Sequence, residues 1–393
     1  MWIVGARGAV ATCVAYGAWG LRAGLLEPIG LATERAPFTR LPLRSPDDLI
    51  FGGHEISLGD LSSSASELVR HGVLPMDLVA ASAAEAAALD ARIRPGALDV
   101  ADVGRADLDP EVTALCAAHP RSKVERLAAD VTAFRVEHGL ERVIVVNLAS
   151  TETWADERES WHDLAAFERA LDRGEDFPAS CLYARAAFES GSPFVNFTPN
   201  RGSSIAALRQ LARERNLPHC GNDGKTGETL VKTVLAPMFV ARALRVLSWQ
   251  GYNMLGNRDG AVLSDPIRRE SKLRNKDAPL HAILDDENLH TGVGIDFVPS
   301  LHDWKTAMDF VHFQGFLGAK MSLQFTWSGS DSALAAPLVI DLVRLADFAC
   351  ARGESGEMAH TACFFKSPIA GGTHDFHAQF ARLIEYAERH ERA

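Results

Sequence analysis

The segment Arg142-Val-Ile-Val-Val-Asn-Leu148 is apolar at nearly every position. That is the pattern of a strand covered on both faces, not of one with a solvated side. Comparable runs stand at 2–5 (Trp-Ile-Val-Gly), 49–53 (Leu-Ile-Phe-Gly-Gly) and 193–197 (Pro-Phe-Val-Asn-Phe). Helical patterns lie between them, up to about residue 24 and over much of 59–92, 109–137, 162–174 and 178–191. Strands alternating with helices predict an α/β fold with a Rossmann-type, doubly wound parallel sheet. Ligands of such a sheet bind outside the strand C-termini. At those ends the chain carries Gly5-Ala-Arg-Gly8-Ala-Val-Ala11, His54-Glu55, Ala149-Ser-Thr-Glu152 and Thr198-Pro-Asn200.

The first of these is a strand–glycine turn–helix, where backbone N–H groups can approach a pyrophosphate. Its pattern is G-x-x-G-x-x-A, so small residues packing a helix onto a sheet explain it equally well. Glu55 ends the second run, where such folds hold the adenosine ribose. A Pro-, Leu- and Arg-rich loop at 25–47 accounts for the long separation.

The pattern changes after about residue 220. Longer strands are expected at 244–249, 292–298 and 320–327, with Met321, Leu323, Phe325 and Trp327 alternating with polar or small residues. They imply an open mixed sheet in a second domain of α+β type. Helical patterns return at 332–352 and 374–391. The division expected is 1–222 for a dinucleotide-binding domain, 223–330 for a catalytic and oligomerisation domain, and 331–393 for a helical return to the first.

The net charge of −11 argues against nucleic acid or an anionic membrane as partner. Arg7 and several glycines interrupt the apolar N-terminus. No uncharged run reaches the roughly 20 residues a spanning helix needs. Six scattered cysteines, none in a C-x-x-C pair, suggest buried thiols in a reducing, cytoplasmic setting. No His/Cys/carboxylate cluster has metal-ligand spacing. Of 40 basic residues only eight are lysine, and seven of these fall between 225 and 366: Lys225, Lys232, Lys272, Lys276, Lys305, Lys320 and Lys366. A lysine amine is compact and can be tuned in pKa, whereas a guanidinium stays charged. This points to a lysine-dependent site in the second half.

Five segments cluster polar residues at element ends: Gly221-Asn-Asp-Gly-Lys-Thr-Gly-Glu-Thr229, Tyr252-Asn-Met-Leu-Gly-Asn-Arg-Asp-Gly260, Ser271-Lys-Leu-Arg-Asn-Lys276, Leu301-His-Asp-Trp-Lys-Thr-Ala-Met-Asp309 and Phe365-Lys-Ser-Pro-Ile369. The first misses the nucleoside-triphosphatase pattern G-x-x-x-x-G-K-[ST]. Together with Leu148–Glu152 and Gly53–Ile56, these segments resemble, in order, the motifs of the myo-inositol-phosphate synthases of the shorter archaeal and bacterial type.

The resemblance implies NAD on the first domain and a hexose 6-phosphate, D-glucose 6-phosphate, on the second. It also implies a redox-neutral reaction: oxidation at C5, enolisation at C6, aldol closure onto the C1 aldehyde and return of the hydride to C5. It places Lys272 at O5 and Lys366 at the aldehyde. Lys276 and Lys305 would hold phosphate or enolate, Asp303 would orient a lysine, and Asn253, Asn257 and Asp259 would position substrate or nicotinamide. Contacts to NAD fall to Gly5, Ala6, Arg7, Gly8, Ala9, Val10, Glu55, Ser150, Thr151, Asp223, Thr226, Asp331 and Ser332. His302 stands where the family has glycine and is directed at cofactor or substrate. Glu55 replaces the commoner Asp, and Arg258 an Asn. A homotetramer is implied as well.

Three rival readings remain. In the first, a ketose such as fructose 6-phosphate undergoes the same chemistry and closes a five-membered ring. The second is a simple dehydrogenase, and the third a non-catalytic NAD-binding protein.

Overall fold

The computed structural model describes residues 1–98, 102, 105–256, 279–286 and 288–391. Asn257, Asp259, Lys272 and Lys276 lie outside the described residues.

Seven strands form the first sheet: β1 (Trp2–Val4), β2 (Gly52–Glu55), β3 (Ile93–Pro95), β4 (Val145–Asn147), β5 (Phe194–Asn196), β6 (Pro218–Cys220) and β11 (Gly356–Glu357). Their order is β11-β6-β5-β4-β1-β2-β3, and every pairing is parallel. This is the doubly wound sheet expected from the apolar runs. β1, β4, β5 and β6 are buried at every position, because helices cover both faces.

On one face lies α1 (Ala9–Arg22), which packs against α11 (Asp331–Ala351). Both helices are buried on most of their surface, so their apolar content extends well beyond one stripe. On the other face lie α6 (Pro120–Glu137) and α8 (Ala179–Glu189). The 25–47 segment is an inserted loop with three short 3₁₀ turns. It is fastened to α11 by Asp341, which accepts from the Ala32 and Thr33 N–H groups at 2.8 and 3.1 Å.

The second sheet has the order β10-β9-β7-β8, from β7 (Arg245–Leu255), β8 (His290–Phe297), β9 (Trp304–Gln314) and β10 (Lys320–Ser330). β7 and β8 are parallel, and β9 is antiparallel to both neighbours, so the sheet is mixed as expected. Its inner face packs on α10 (Glu228–Ala241). Phe239 of that helix meets Trp249 and Phe313 edge-on at 6.1 and 5.0 Å. Burying each such ring contributes roughly 1.5–3 kcal/mol. Leu323 and Phe325 join this core, so the alternating face of β10 turns toward the helix layer. The outer face exposes Tyr252, Met308 and Phe310.

Candidate active site

The strand order reverses between β1 and β4, and two adjoining clefts open there. Gly5 (φ 82°) turns the chain sharply after β1. A Cβ on it would stand 3.0 Å from the Ala149 Cα. The glycine therefore lets the 5–8 turn lie directly against the loop after β4. Helix α1 begins beyond Gly8 without a side-chain cap, so its first N–H groups and its dipole are available to an anion.

A cavity of ≈390 Å³ runs from Gly8, Ala9 and Val10, past Leu148–Thr151, to Asp223, Thr226, His302, Asp303, Asp331, Ser332 and Lys366. A second, of ≈380 Å³, shares Arg7, Gly8, Ser64 and Leu148–Ser150 and extends past Gly5 to Glu55. Together they make one elongated cleft across the switch point.

Glu55 is preorganised at the far end. Its Oε2 accepts from the Arg7 N–H (2.9 Å), and its Oε1 from the Ile56 and Ser57 N–H groups (2.8 and 3.1 Å). Oε1 is thereby filled, whereas Oε2 keeps acceptor capacity for a ribose hydroxyl. Arg7 itself turns away, its Nε pairing with Asp90 at 3.0 Å. Ala6 is fully buried and packs beneath the turn at Gly53, so it gives the cleft no surface.

Charged pairs cluster at the near end. The Lys366 Nζ donates to the Asp223 Oδ1 at 2.7 Å, with the two side chains only 11% and 5% exposed. The Lys305 Nζ lies 3.4 Å from the Asp331 Oδ2, and the Thr226 hydroxyl donates to the other oxygen of Asp331 at 2.9 Å. Asp303 accepts from the Ser330 and Ser332 hydroxyls at 2.6 and 2.9 Å. Burial pushes its carboxyl above the usual carboxylate range. The two serine hydrogen bonds oppose that rise, and the neighbouring Asp331 adds to it. Ser330 also caps α11 by accepting from the Ala333 N–H at 3.1 Å, so the helix start and the orientation of Asp303 depend on the same hydroxyl.

Backbone pairing fixes Lys366. Segments 221–226 and 364–369 form a ladder: Lys366 N to Asp223 O (2.7 Å), Lys225 N to Phe364 O (2.8 Å), Asn222 N to Ser367 O (2.7 Å) and Ile369 N to Gly221 O (2.7 Å). Under it runs a buried amide network at successive strand ends. Asn147 donates to Asn196 (3.1 Å), and Asn196 donates to Asn222 (2.8 Å) and to the Asn200 carbonyl (2.7 Å).

Carboxylate at the β2 end, open helix terminus and elongated cleft fit a dinucleotide, and the Lys366–Asp223 pair lines the end of the cleft away from Glu55. Residues 32–387 match the NAD-binding family model of myo-inositol-1-phosphate synthase. The chain belongs to that family. It is 33% identical to inositol-3-phosphate synthase 1 of Bacteroides thetaiotaomicron, over 96% of this chain and 90% of the relative. Its fold is that of the inositol-3-phosphate synthase of Caenorhabditis elegans, with a TM-score of 0.87 at 24% identity over 99% of this chain and 85% of the other. It is also that of a myo-inositol-1-phosphate synthase-related protein of Thermotoga maritima, with a TM-score of 0.79 at 23% identity over 98% and 97%. As a member of the family the chain is an NAD-using isomerase of the intramolecular-lyase type.

The structure brings together on the cleft walls Gly5, Arg7, Gly8, Ala9, Val10, Glu55, Ser150, Thr151, Asp223, Thr226, His302, Asp303, Asp331, Ser332 and Lys366. Lys305 stands behind Asp331. Asn253 is fully buried on β7 opposite Ala307, away from the cavity wall. Sequence reasoning missed Ser330, His71, Glu67 and Ser64, and the amides of Asn147, Asn196 and Asn222. The three amides had a signal, since each stands at or just beyond the end of a buried strand. The α2 (Leu61–Arg70) residues and His71 had none, because their helix reaches the cleft only through the fold. Among the described residues no group of three His, Cys, Asp or Glu is placed to hold a metal ion.

Proposed function

We propose that the protein converts D-glucose 6-phosphate into a myo-inositol phosphate without net oxidation. One observation carries the reading: two shielded lysine–carboxylate pairs, Lys366–Asp223 and Lys305–Asp331, stand in or just behind the wall of the cleft that begins at the N-terminus of α1. Bound NAD supplies a hydride acceptor and later a hydride donor. The chain's own groups handle the charges and protons. Lys366 holds negative charge on the aldehyde oxygen as the ring closes, its ammonium kept in place by Asp223 and by the ladder. Lys305 steadies the phosphate or the enolate, oriented by Asp331 and Thr226. Asp303 is locked by two serines and sets the geometry of the turn leading into Lys305. Lys272 and Lys276 supply the remaining amines by resemblance.

The roles of Gly5, Gly8 and Glu55 toward NAD follow from a helix terminus open to pyrophosphate and a carboxylate open to ribose. We further propose a homotetramer through the outer face of the second sheet, where Tyr252, Met308 and Phe310 are 43%, 49% and 40% exposed. A cytoplasmic setting fits six cysteines that are all free thiols. No described helix is long and apolar enough to cross a membrane.

The test incubates purified protein and NAD with glucose 6-phosphate, and separately with fructose 6-phosphate, and identifies the product ring by NMR. A six-membered polyol phosphate from glucose 6-phosphate, with no accumulation of NADH, is expected. No turnover of glucose 6-phosphate, or steady NADH build-up, overturns the proposal.

A further inference from the structure

A non-glycine residue at positive φ needs a reason. His302 has φ 55° in the turn between β8 and β9. Its backbone packs so closely against the end of β7 that a Cβ on Gly256 would stand 2.3 Å from its N atom. The turn is therefore held in place, and its side chain must project from it. The imidazole lies flat on that of His71, with centroids 4.5 Å apart and planes 16° apart. His71 caps the C-terminus of α2, a helix of the NAD-binding half. One residue pair beyond, the Trp304 Nε1 donates to the His71 carbonyl at 2.8 Å. The second sheet is thus fastened to α2 twice at one spot. Both histidines line the cavity that also contains the N-terminus of α1.

We propose that the His71–His302 stack is a clasp across the mouth of the cofactor cleft, retaining the dinucleotide through the whole catalytic cycle. The inference rests on the proposed function for its purpose. A redox-neutral cyclisation must return its hydride to the molecule that gave it up. A reduced cofactor that escapes between the two transfers strands an oxidised sugar phosphate and leaves the enzyme unable to finish. The clasp acts on the escape route and is separate from the lysines that handle the substrate. Its members come from two elements far apart in the chain, so opening the cleft means parting the rings.

The experiment measures dissociation of NADH from the intact protein by stopped-flow fluorescence, chasing with excess NAD and adding no sugar phosphate. The wild type is compared with His302→Gly, His71→Ala and the double variant. His302→Gly places at this φ the residue that tolerates it best, so it relaxes the backbone and endangers folding little. Ring contacts of this kind convert to roughly three- to tenfold in a rate. We expect NADH to leave three- to tenfold faster from each single variant. The double variant should be no faster than the quicker single one, since each change removes the same stack. Unchanged dissociation in His302→Gly overturns the clasp. Multiplying effects in the double variant overturn it as well, because they show two independent contacts. Because no substrate is present, these results are independent of turnover. A protein that releases NADH as described yet leaves glucose 6-phosphate untouched retains the clasp and loses the proposed function.

Discussion

Lys225 lies in the same ladder as Lys366, yet its electrostatic situation is the opposite, and replacing it with methionine should have a pH signature. The side chain is 2% exposed. Its amine donates to one neutral acceptor, the Gln379 Oε1 at 2.7 Å, beside the Phe376 ring. Among the described residues it meets no carboxylate. Burial lowers its pKa from 10.5 to about 8, and the Lys366 charge pushes the same way. In the unfolded chain the lysine titrates at its ordinary value. Between about pH 8 and 10.5 the unfolded state therefore holds a proton that the native state has released, so this group's contribution to stability rises with pH across that window. Below it, both states are protonated and the native state bears the full cost of the buried ammonium.

Integrating the two titrations gives a contribution that improves by roughly 2–3 kcal/mol from about pH 7 to about pH 10. Lys225→Met removes it. Near pH 7 the variant sheds a cost of roughly 3 kcal/mol but strands the Gln379 oxygen, a loss of about 1–3 kcal/mol. It should be as stable as the wild type or up to about 2 kcal/mol more so. Near pH 10 it should be less stable. The assay is equilibrium denaturation of both proteins at the two pH values, read as the change in their difference. Cys220, which burial pushes up to about 12, weakens both proteins as pH rises and drops out of that difference; Cys363, also pushed up to about 12 by burial, is pulled down by the Lys225 charge, so its share drops out only in part. An identical difference at both pH values would refute the reasoning, since it would mean that Lys225 titrates normally.

Lys366→Ala should lower kcat by about a hundred- to a thousandfold while circular dichroism stays unchanged; full activity would remove Lys366 from the chemistry. Gly53→Ala should destabilise the fold by at least about 1–3 kcal/mol, because its Cβ would stand 2.3 Å from the Ile3 carbonyl oxygen and 2.7 Å from the Ala6 Cβ. Chemical denaturation reads this, and wild-type stability would mean that β1 and β2 can part without cost.

The fold was legible where apolar runs are long enough to show that they are covered on both faces, and blurred where polar residues sit in strands. The run at 49–53 placed the second strand three residues early; β2 is Gly52–Glu55 and includes His54. That imidazole is fully buried, accepting from the Trp2 Nε1 at 2.9 Å and reaching Asp130 at 3.0 Å, partners that no local pattern reveals. β9 was not foreseen as a strand. Its inward positions include Lys305 and Asp309 as well as Ala307 and Val311, so its alternation is masked by charges whose partners are remote: Asp331 for the first, Trp249 and Lys232 for the second. β3, β6 and β11 span two or three residues each, too few to carry a period.

The site was legible through its lysines and opaque through their partners, and the acceptor geometry explains both. In a chain that favours arginine, Lys225 and Lys366 survive on facing segments joined by backbone hydrogen bonds. Each amine meets a single acceptor oxygen, an amide on one side and a carboxylate on the other. A guanidinium carries five N–H donors in a rigid fork. Buried in either place it would leave most of them without a partner, each a desolvation cost. An ammonium concentrates its donors on one atom and has fewer to satisfy. At these two positions a lysine therefore marks where the interior offers one acceptor and no more. Lysine scarcity does not reveal whether that acceptor is charged, and so it could not tell Lys366, paired with Asp223, from Lys225, held by an amide at a depressed pKa.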